Sequence, residues 1–567
     1  MRKMMLFALI FLVTKELTAQ KKSHNLFPHD TTRFTHADTL RGSITPARAW
    51  WDVTFYDLHV KISPADSSIS GYNAITYLVK GKAPAHADGY GRAGGAEMQI
   101  DLMTPLVVDS MVQEGRHLRY RRDGNAFFAR LTAPQATGSR QKITVYYHGK
   151  PRVAKHPPWD GGFIWTRDSL GNLWIATACQ GAGASIWWPN KDTQADEPDS
   201  QRIAITVADT LVDVSNGRLR KRTLHPDGTM TYEWFVDNPI NNYDVAVNAG
   251  KYVHFSDIYP GEQGPLTLDY YVLPYHLRQA ERQFQQAKSM LKCFEYWFGP
   301  YPWYKDGYKL VEAPHLGMEH QSCVAYGNHF ENGYLGHDLS HTGWGLKWDF
   351  IIVHESAHEW FGNSITTKDL ADMWVHESFA NYAESLYTEC LFGKKAGEAY
   401  CIGTRQNVQN DKPIVGHYGV NEEGSGDMYY KGGNMLLAIR EIIGNDQKFR
   451  ALLHGLTRTF RHQTVTGKQI EDYISTKSGI DFSKVFQQYL TTTQIPEFNY
   501  YIRGNRLHYR WQNVIPGFNM PLDVTLSAGK FSLIHPATSW QTTSLRLDAN
   551  KQFKVDQNFY VTVHEGK

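Results

Sequence analysis

Apolar residues recur along this chain at two different periods, and the switch between them marks its organisation. From Trp50 to about Leu273, hydrophobic and polar positions alternate in short runs. Among them are Asp57-Leu-His-Val-Lys-Ile62, Ala74-Ile-Thr-Tyr-Leu-Val79, Gln141-Lys-Ile-Thr-Val-Tyr-Tyr147 and Gln201-Arg-Ile-Ala-Ile-Thr-Val207. A period of two, β-branched side chains and intervening Gly, Pro and Asp turns predict strands, hence a large antiparallel β domain. Near Pro274 the period becomes helical. Leu277 to Trp297 reads as one helix, and helical spacing dominates to about Leu490, including Asn434 to Ile443 and Gln469 to Tyr473. Alternation returns after Pro496, at Phe498 to Ile502, Arg506 to Trp511 and Leu522 to Leu526. About 70 residues remain there, enough for a small β-sandwich or an attached sheet. The expected fold is therefore multidomain α+β: a β domain at 46–273, a mainly helical domain at 274–495 and a small C-terminal β domain at 496–567.

Two helical patterns in the middle region carry the most information. Leu346, Phe350, Val353, Ala357 and Phe361 form an apolar stripe, and Gly362-Asn363 reads as its stop. A second helix is expected from about Asp372 to Leu391, with Ala371, Trp374, Val375, Phe379, Tyr382 and Leu386 on its apolar side.

Composition adds bounds. A hydrophobic content of 42% and 13% aromatic residues describe a folded globular chain, and 567 residues exceed one core. Arg2 and Lys3 precede the apolar run Met4 to Val13, and Ala19 offers a small residue at the cut. This reads as a secretory signal peptide over 1–19, too short to span a bilayer, followed by a polar linker at 20–45. A secreted or periplasmic protein is the expectation. Without Arg2, Lys3, Lys15 and Glu16, the 59 basic and 57 acidic residues come into balance, so nothing favours nucleic acid or an anionic membrane as partner. Cys179, Cys293, Cys323, Cys390 and Cys401 are an odd, sparse set. Free buried thiols are expected, with a Cys390–Cys401 pair the alternative.

The stripe helix contains His354-Glu355-Ser356-Ala357-His358, and Glu377 follows after eighteen intervening residues. Side chains at i and i+4 share a helix face, so His354 and His358 can offer two imidazoles to one ion. A catalytic zinc takes three protein ligands and keeps a position for water. Glu377 would be the third, delivered by the second helix. Zinc would acidify that water, and Glu355, beside the ion, would take the proton as general base.

Three further segments join this motif: Gly317-Met318-Glu319-His320, Met428-Tyr429-Tyr430-Lys431-Gly432 and Ala178-Cys179-Gln180. With Phe298-Gly-Pro-Tyr-Pro302, Trp360-Phe-Gly-Asn363 and Asp372-Met-Trp-Val-His-Glu377, they resemble the zinc aminopeptidases typified by aminopeptidase N and leukotriene hydrolase. The resemblance implies a thermolysin-like catalytic domain, one zinc ion and peptide substrates with a free N-terminus. It makes Glu319 the carboxylate for the substrate α-amine and Tyr429 the oxyanion donor, Tyr430 being its rival. Gln180, Gly317 and Met318 become substrate-binding residues. The chain departs from the pattern at Leu316, His320 and His376. Neither histidine is expected to bind zinc. The chain ends after the small β region, where many relatives continue into a helical domain, so a more open cleft is expected. Two alternatives stay open: a zinc endopeptidase or other zinc hydrolase on the same fold, and a non-catalytic secreted peptide-binding scaffold. Oligomeric state is not legible.

Overall fold

A computed structural model describes residues 33–87, 93–132, 134–527, 530–547 and 552–566. The expected signal peptide lies outside the described residues. The stretch expected to be a linker contains the helix His36–Gly42, closed by a Thr35–Asp38 capping box. This helix buries none of its residues; its cap and polar contacts such as Arg41 to the carbonyls of Gly181 and Ala182 hold it, so no apolar stripe announces it.

The alternating runs become an eight-stranded sheet. Its order is Arg218–Leu224, Thr229–Val236, Ser200–Ala208, Trp51–Ser63, Ser68–Val79, Arg140–Gly149, Val107–Gln113 and Arg116–His117. Tyr56, Leu58, Val60 and Ile62 face the core while Phe55, His59 and Lys61 face outward, as a period of two requires. The sheet is not wholly antiparallel: Trp51–Ser63 pairs in parallel with Ser200–Ala208, Phe55 opposite Ser200. The long intervening chain makes that crossover possible.

Two smaller sheets carry the approach to the cleft. Leu173–Ala178, in a four-stranded sheet, ends just before Cys179-Gln180. A five-stranded sheet runs Val253–Gly261, Gly264–Val272, Tyr308–Glu312, Val324–Tyr326 and Gly317–Met318, which leaves Gly317–Met318 as an edge. Met318, Val311 and Ala325 pack into the core of the β-rich part, so this sheet is the joint between it and the helices.

The helix expected at Leu277 to Trp297 is two, Leu277–Gln283 and Gln286–Phe298. The break falls at Phe284, whose ring is buried among Tyr270, Tyr326 and Phe330. The helices Phe350–Ala357 and Trp374–Phe392 are present, and Cys293 of Gln286–Phe298 is joined to Cys390 of Trp374–Phe392 by a disulfide. This corrects the expectation of free thiols for these two cysteines and rules out the Cys390–Cys401 alternative, while Cys179, Cys323 and Cys401 are buried and free as expected. Sequence spacing cannot see this pair, because its partners lie 97 residues apart. The C-terminal strands include Glu497–Arg503, Arg506–Gln512 and Leu522–Ser527. Their Phe498, Trp511 and Val524 pack into the core of the helices and do not close one of their own. Among the described residues no helix is long and apolar enough to cross a membrane.

Candidate active site

The motif helix is shorter than its apolar stripe. It starts at Phe350 because Asp349 caps it, accepting from the backbone N–H of Ile351 and Ile352 at 3.1 and 3.3 Å. Asp349 also accepts from Tyr326 Oη at 2.7 Å and Asn328 Nδ2 at 2.9 Å, which locks the cap to the sheet. Leu346 lies outside the helix, 45% exposed. Phe350 to Ala357 are all buried, so this is a core helix and not an amphipathic one. His358 is its C-cap and keeps helical backbone angles, which preserves the i, i+4 alignment with His354.

Three donors converge. His354 Nε2 and His358 Nε2 are 3.3 Å apart, and Glu377 Oε2 lies 3.6 Å from the first and 3.4 Å from the second. Tetrahedral zinc bonds of about 2.0–2.1 Å would put neighbouring donors roughly 3.3–3.4 Å apart. Each imidazole has its other nitrogen occupied: His354 Nδ1 faces Glu384 Oε1 at 2.8 Å, and His358 Nδ1 faces the carbonyl of Phe361 at 3.0 Å. Those partners set the tautomer that turns both Nε2 lone pairs toward the centre. Glu377 Oε2 is buried with no hydrogen-bond partner. The donor set fits a single zinc ion.

Glu384 was absent from the sequence reading, although it stands two helical turns after Glu377 and therefore on the same face. Its other oxygen accepts from Tyr400 Oη at 2.7 Å.

All the other candidate residues line one cavity of about 300 Å³ with these donors: Gln180, Gly317, Met318, Glu319, Glu355 and Tyr429. Gln180 Nε2 donates to Glu319 Oε1 at 2.6 Å and to Glu377 Oε1 at 3.1 Å, bridging the two carboxylates. Tyr243 Oη adds a bond to Glu319 Oε1 at 3.3 Å, and Asn363 Nδ2 holds the Glu319 carbonyl at 2.8 Å. Tyr243 carried no sequence signal. Gly317 is glycine for a reason of space: a Cβ there would lie 2.7 Å from Glu355 Oε1 and 2.9 Å from Ile351 Cγ2. Tyr429 stacks loosely on His354, ring centroids 5.9 Å apart, while Tyr430 begins the next helix; both line the cavity.

Burial dominates the electrostatics. It pushes the Glu355 carboxyl up to about 7, with Glu319 and Glu377 adding and the two histidines opposing. Glu319 is also raised, by burial first, with His358 opposing. Glu377 is held below the carboxylate range, because the two histidines outweigh its burial. His320 and His376 are buried and kept neutral by burial, each near 3. Neither contributes to the donor cluster. His376 Nε2 instead accepts the backbone N–H of Thr367 at 2.9 Å.

A buried helix presenting two imidazoles, a second helix presenting a carboxylate and a further carboxylate alongside make a donor arrangement suited to one metal ion. Residues 282–489 match the family model described as the Peptidase family M1 domain. This stretch, a little over a third of the chain, is similar to the M1 peptidase domain. Among curated relatives, aminopeptidase N of Lactobacillus helveticus is 28% identical over 239 residues, 38% of this chain and 27% of that protein. Leucyl aminopeptidase of Saccharolobus solfataricus is 22% identical over 301 residues, 50% of this chain and 37% of that protein. The chain spans less than half the length of these relatives. The M1 zinc metallopeptidase of Deinococcus radiodurans shares the fold, with a TM-score of 0.63 at 20% identity over 79% of this chain and 95% of that one.

Proposed function

We propose that this chain is a zinc-dependent aminopeptidase that removes single residues from the N-terminus of peptides. The observation that carries the reading is the Gln180 bridge. One amide nitrogen bonds both Glu319 and the metal-facing Glu377, so a carboxylate suited to an ammonium lies about one residue from the donor cluster.

His354, His358 and Glu377 would hold the ion. Bound zinc supplies Lewis-acid polarisation of the scissile carbonyl and acidifies water. Glu319, oriented by Gln180 and Tyr243, pairs with the substrate α-ammonium and sets the register. Glu355, with a carboxyl near neutrality, takes the proton of the attacking water and returns it to the leaving amine. The Tyr429 hydroxyl donates to the oxygen on which negative charge develops. Gly317 leaves room for Glu355 at the edge strand.

Hydrolysis of aminoacyl fluorogenic amides, free and N-acetylated, before and after chelation, tests this. Chelator-sensitive release from free amines alone is expected. Release from the acetylated set would favour an endopeptidase. Glu355→Gln should keep zinc and lose about 10²–10⁴-fold in kcat; near-normal turnover would refute the assignment. The site of action we propose is outside the cytoplasm. The charged and apolar pattern of residues 1–19 and the Cys293–Cys390 disulfide support this. Cell fractionation with N-terminal sequencing checks it, a start at Gln20 being expected.

A further inference from the structure

The amine site gives the cleft a direction. On the aminopeptidase reading, a residue with its ammonium at Glu319 and its carbonyl between the donor cluster and Tyr429 would extend its side chain past Gln180, which lines both cavities. A second cavity of about 470 Å³ opens there, sharing Pro158, Trp159, Gln180 and Tyr429 with the first. Its wall is mostly polar. Asp160 lies on it, but its carboxylate is already bonded to the backbone N–H groups of Lys155 and His156, at 2.6 and 2.9 Å. Glu422 is engaged by His417. Arg152 also lines the chamber, with Asp160 near enough to interact with its charge.

Glu423 differs from these acids. Its half-buried carboxylate has no hydrogen-bond or ion-pair partner among the described residues, and Lys412 Nζ reaches only its backbone carbonyl, at 3.4 Å. Its placement is built in. Gly181, next to Gln180, leaves the carboxylate its room: a Cβ there would lie 2.6 Å from Glu423 Oε1. The loop is pinned behind it. A Cβ on Gly424 would overlap the Ile414 carbonyl, and Ser425 N–H donates to the Pro413 carbonyl at 2.8 Å. Burial, with Glu377 and Glu319 adding and Lys412 opposing, pushes the Glu423 carboxyl up to about 7, so a cation alongside it would favour the ionised form. Trp159 also bounds this chamber and is 69% exposed, an aromatic face open to a ligand.

Resting on the aminopeptidase reading, we infer that this chamber selects a cationic N-terminal residue, arginine or lysine, whose charged end pairs with Glu423 while its stem lies on Trp159. A carboxylate with no partner offers a neutral side chain only the cost of its own desolvation, whereas an arginine relieves it.

The test uses zinc-loaded full chain and fluorogenic amides of arginine, lysine, norleucine and citrulline. Citrulline keeps arginine's shape and lacks its charge. The ratio of kcat/KM for arginine over citrulline is expected to be about tenfold or more, and to fall toward one in Glu423→Gln. Competition by free arginine against free citrulline should show the same loss of preference. Glu423→Asp should recover part of it. A wild-type ratio near one, with norleucine and citrulline amides cleaved, would sink the inference and leave the aminopeptidase reading standing. A high ratio that persists in Glu423→Gln would also overturn it. Cleavage of no free-amine substrate would bring down both.

Discussion

At the scale of the residue, the gathering of the candidate side chains was legible wherever it followed from spacing or motif. His354 and His358 at i, i+4, Glu377 on the next helix, and Glu355 between them all meet in one cavity. What spacing could not reach were groups brought in from far along the chain. Tyr243, in the short 3₁₀ helix Asn242–Asp244, and Glu423, in a loop of the adjoining chamber, take positions that only the tertiary structure fixes. Glu384 lies between these cases, since its seven-residue distance from Glu377 could have been read. Glu384 accepts from His354 and so fixes the ring that faces the donor cluster. Glu384→Gln should weaken zinc affinity by about 10–100-fold, as measured by competition with a zinc buffer. Unchanged affinity would mean the carboxylate is only a packing partner.

At the scale of the element, the periods identified strands and helices well but misjudged their ends. The motif stripe ran from Leu346, yet Asp349 starts the helix, because a cap and not an apolar residue decides where the intrahelical bonds begin. The expected helix from Leu277 breaks at a buried phenylalanine, which a periodic pattern counts as one more match. The parallel pairing of Trp51–Ser63 was invisible, since alternation is the same in both senses of pairing. The edge strand Gly317–Met318 shows an element and its chemistry depending on one missing atom. Gly317→Ala would push a methyl against Glu355 and Ile351. The methyl would meet side-chain atoms, so the Glu355 carboxylate must swing off its position, and kcat should fall by about tenfold or more while zinc stays bound. Retention of full kcat would show that the strand yields instead.

At the scale of the whole molecule, the β-rich part and the helices are sewn together around Ile365–Thr367. This strand pairs with Gln463–Val465, and Asn241 Nδ2 reaches Thr366 Oγ1 at 3.0 Å from the β-rich part. His376 completes the seam by accepting the Thr367 N–H, which requires a neutral ring. Burial lowers its folded-state value to about 3, below the ordinary 6.5. The unfolded chain therefore binds the extra proton first, and the stability this ring contributes is full above 6.5 and lost as pH falls toward 3. At pH 5 the loss is about 2 kcal/mol. His376→Gln keeps an acceptor that does not titrate, so its urea midpoint should decline less than the wild type's between pH 7.5 and 5. Parallel decline would assign the acid sensitivity elsewhere. The order of β-rich and helical regions was readable from composition and period. That the C-terminal strands share the helices' core was not, because a hydrophobic pattern says that a face is covered and not by what.

The Cys293–Cys390 bond encloses Glu319, His354, Glu355, His358 and Glu377 within one covalent ring. The surface stretch around 335–347 lies inside that ring and contains exposed residues. A foreign protease that cuts there would nick the molecule without parting it. Both pieces would stay tethered beside the site, migrating as one band until a reductant separates them.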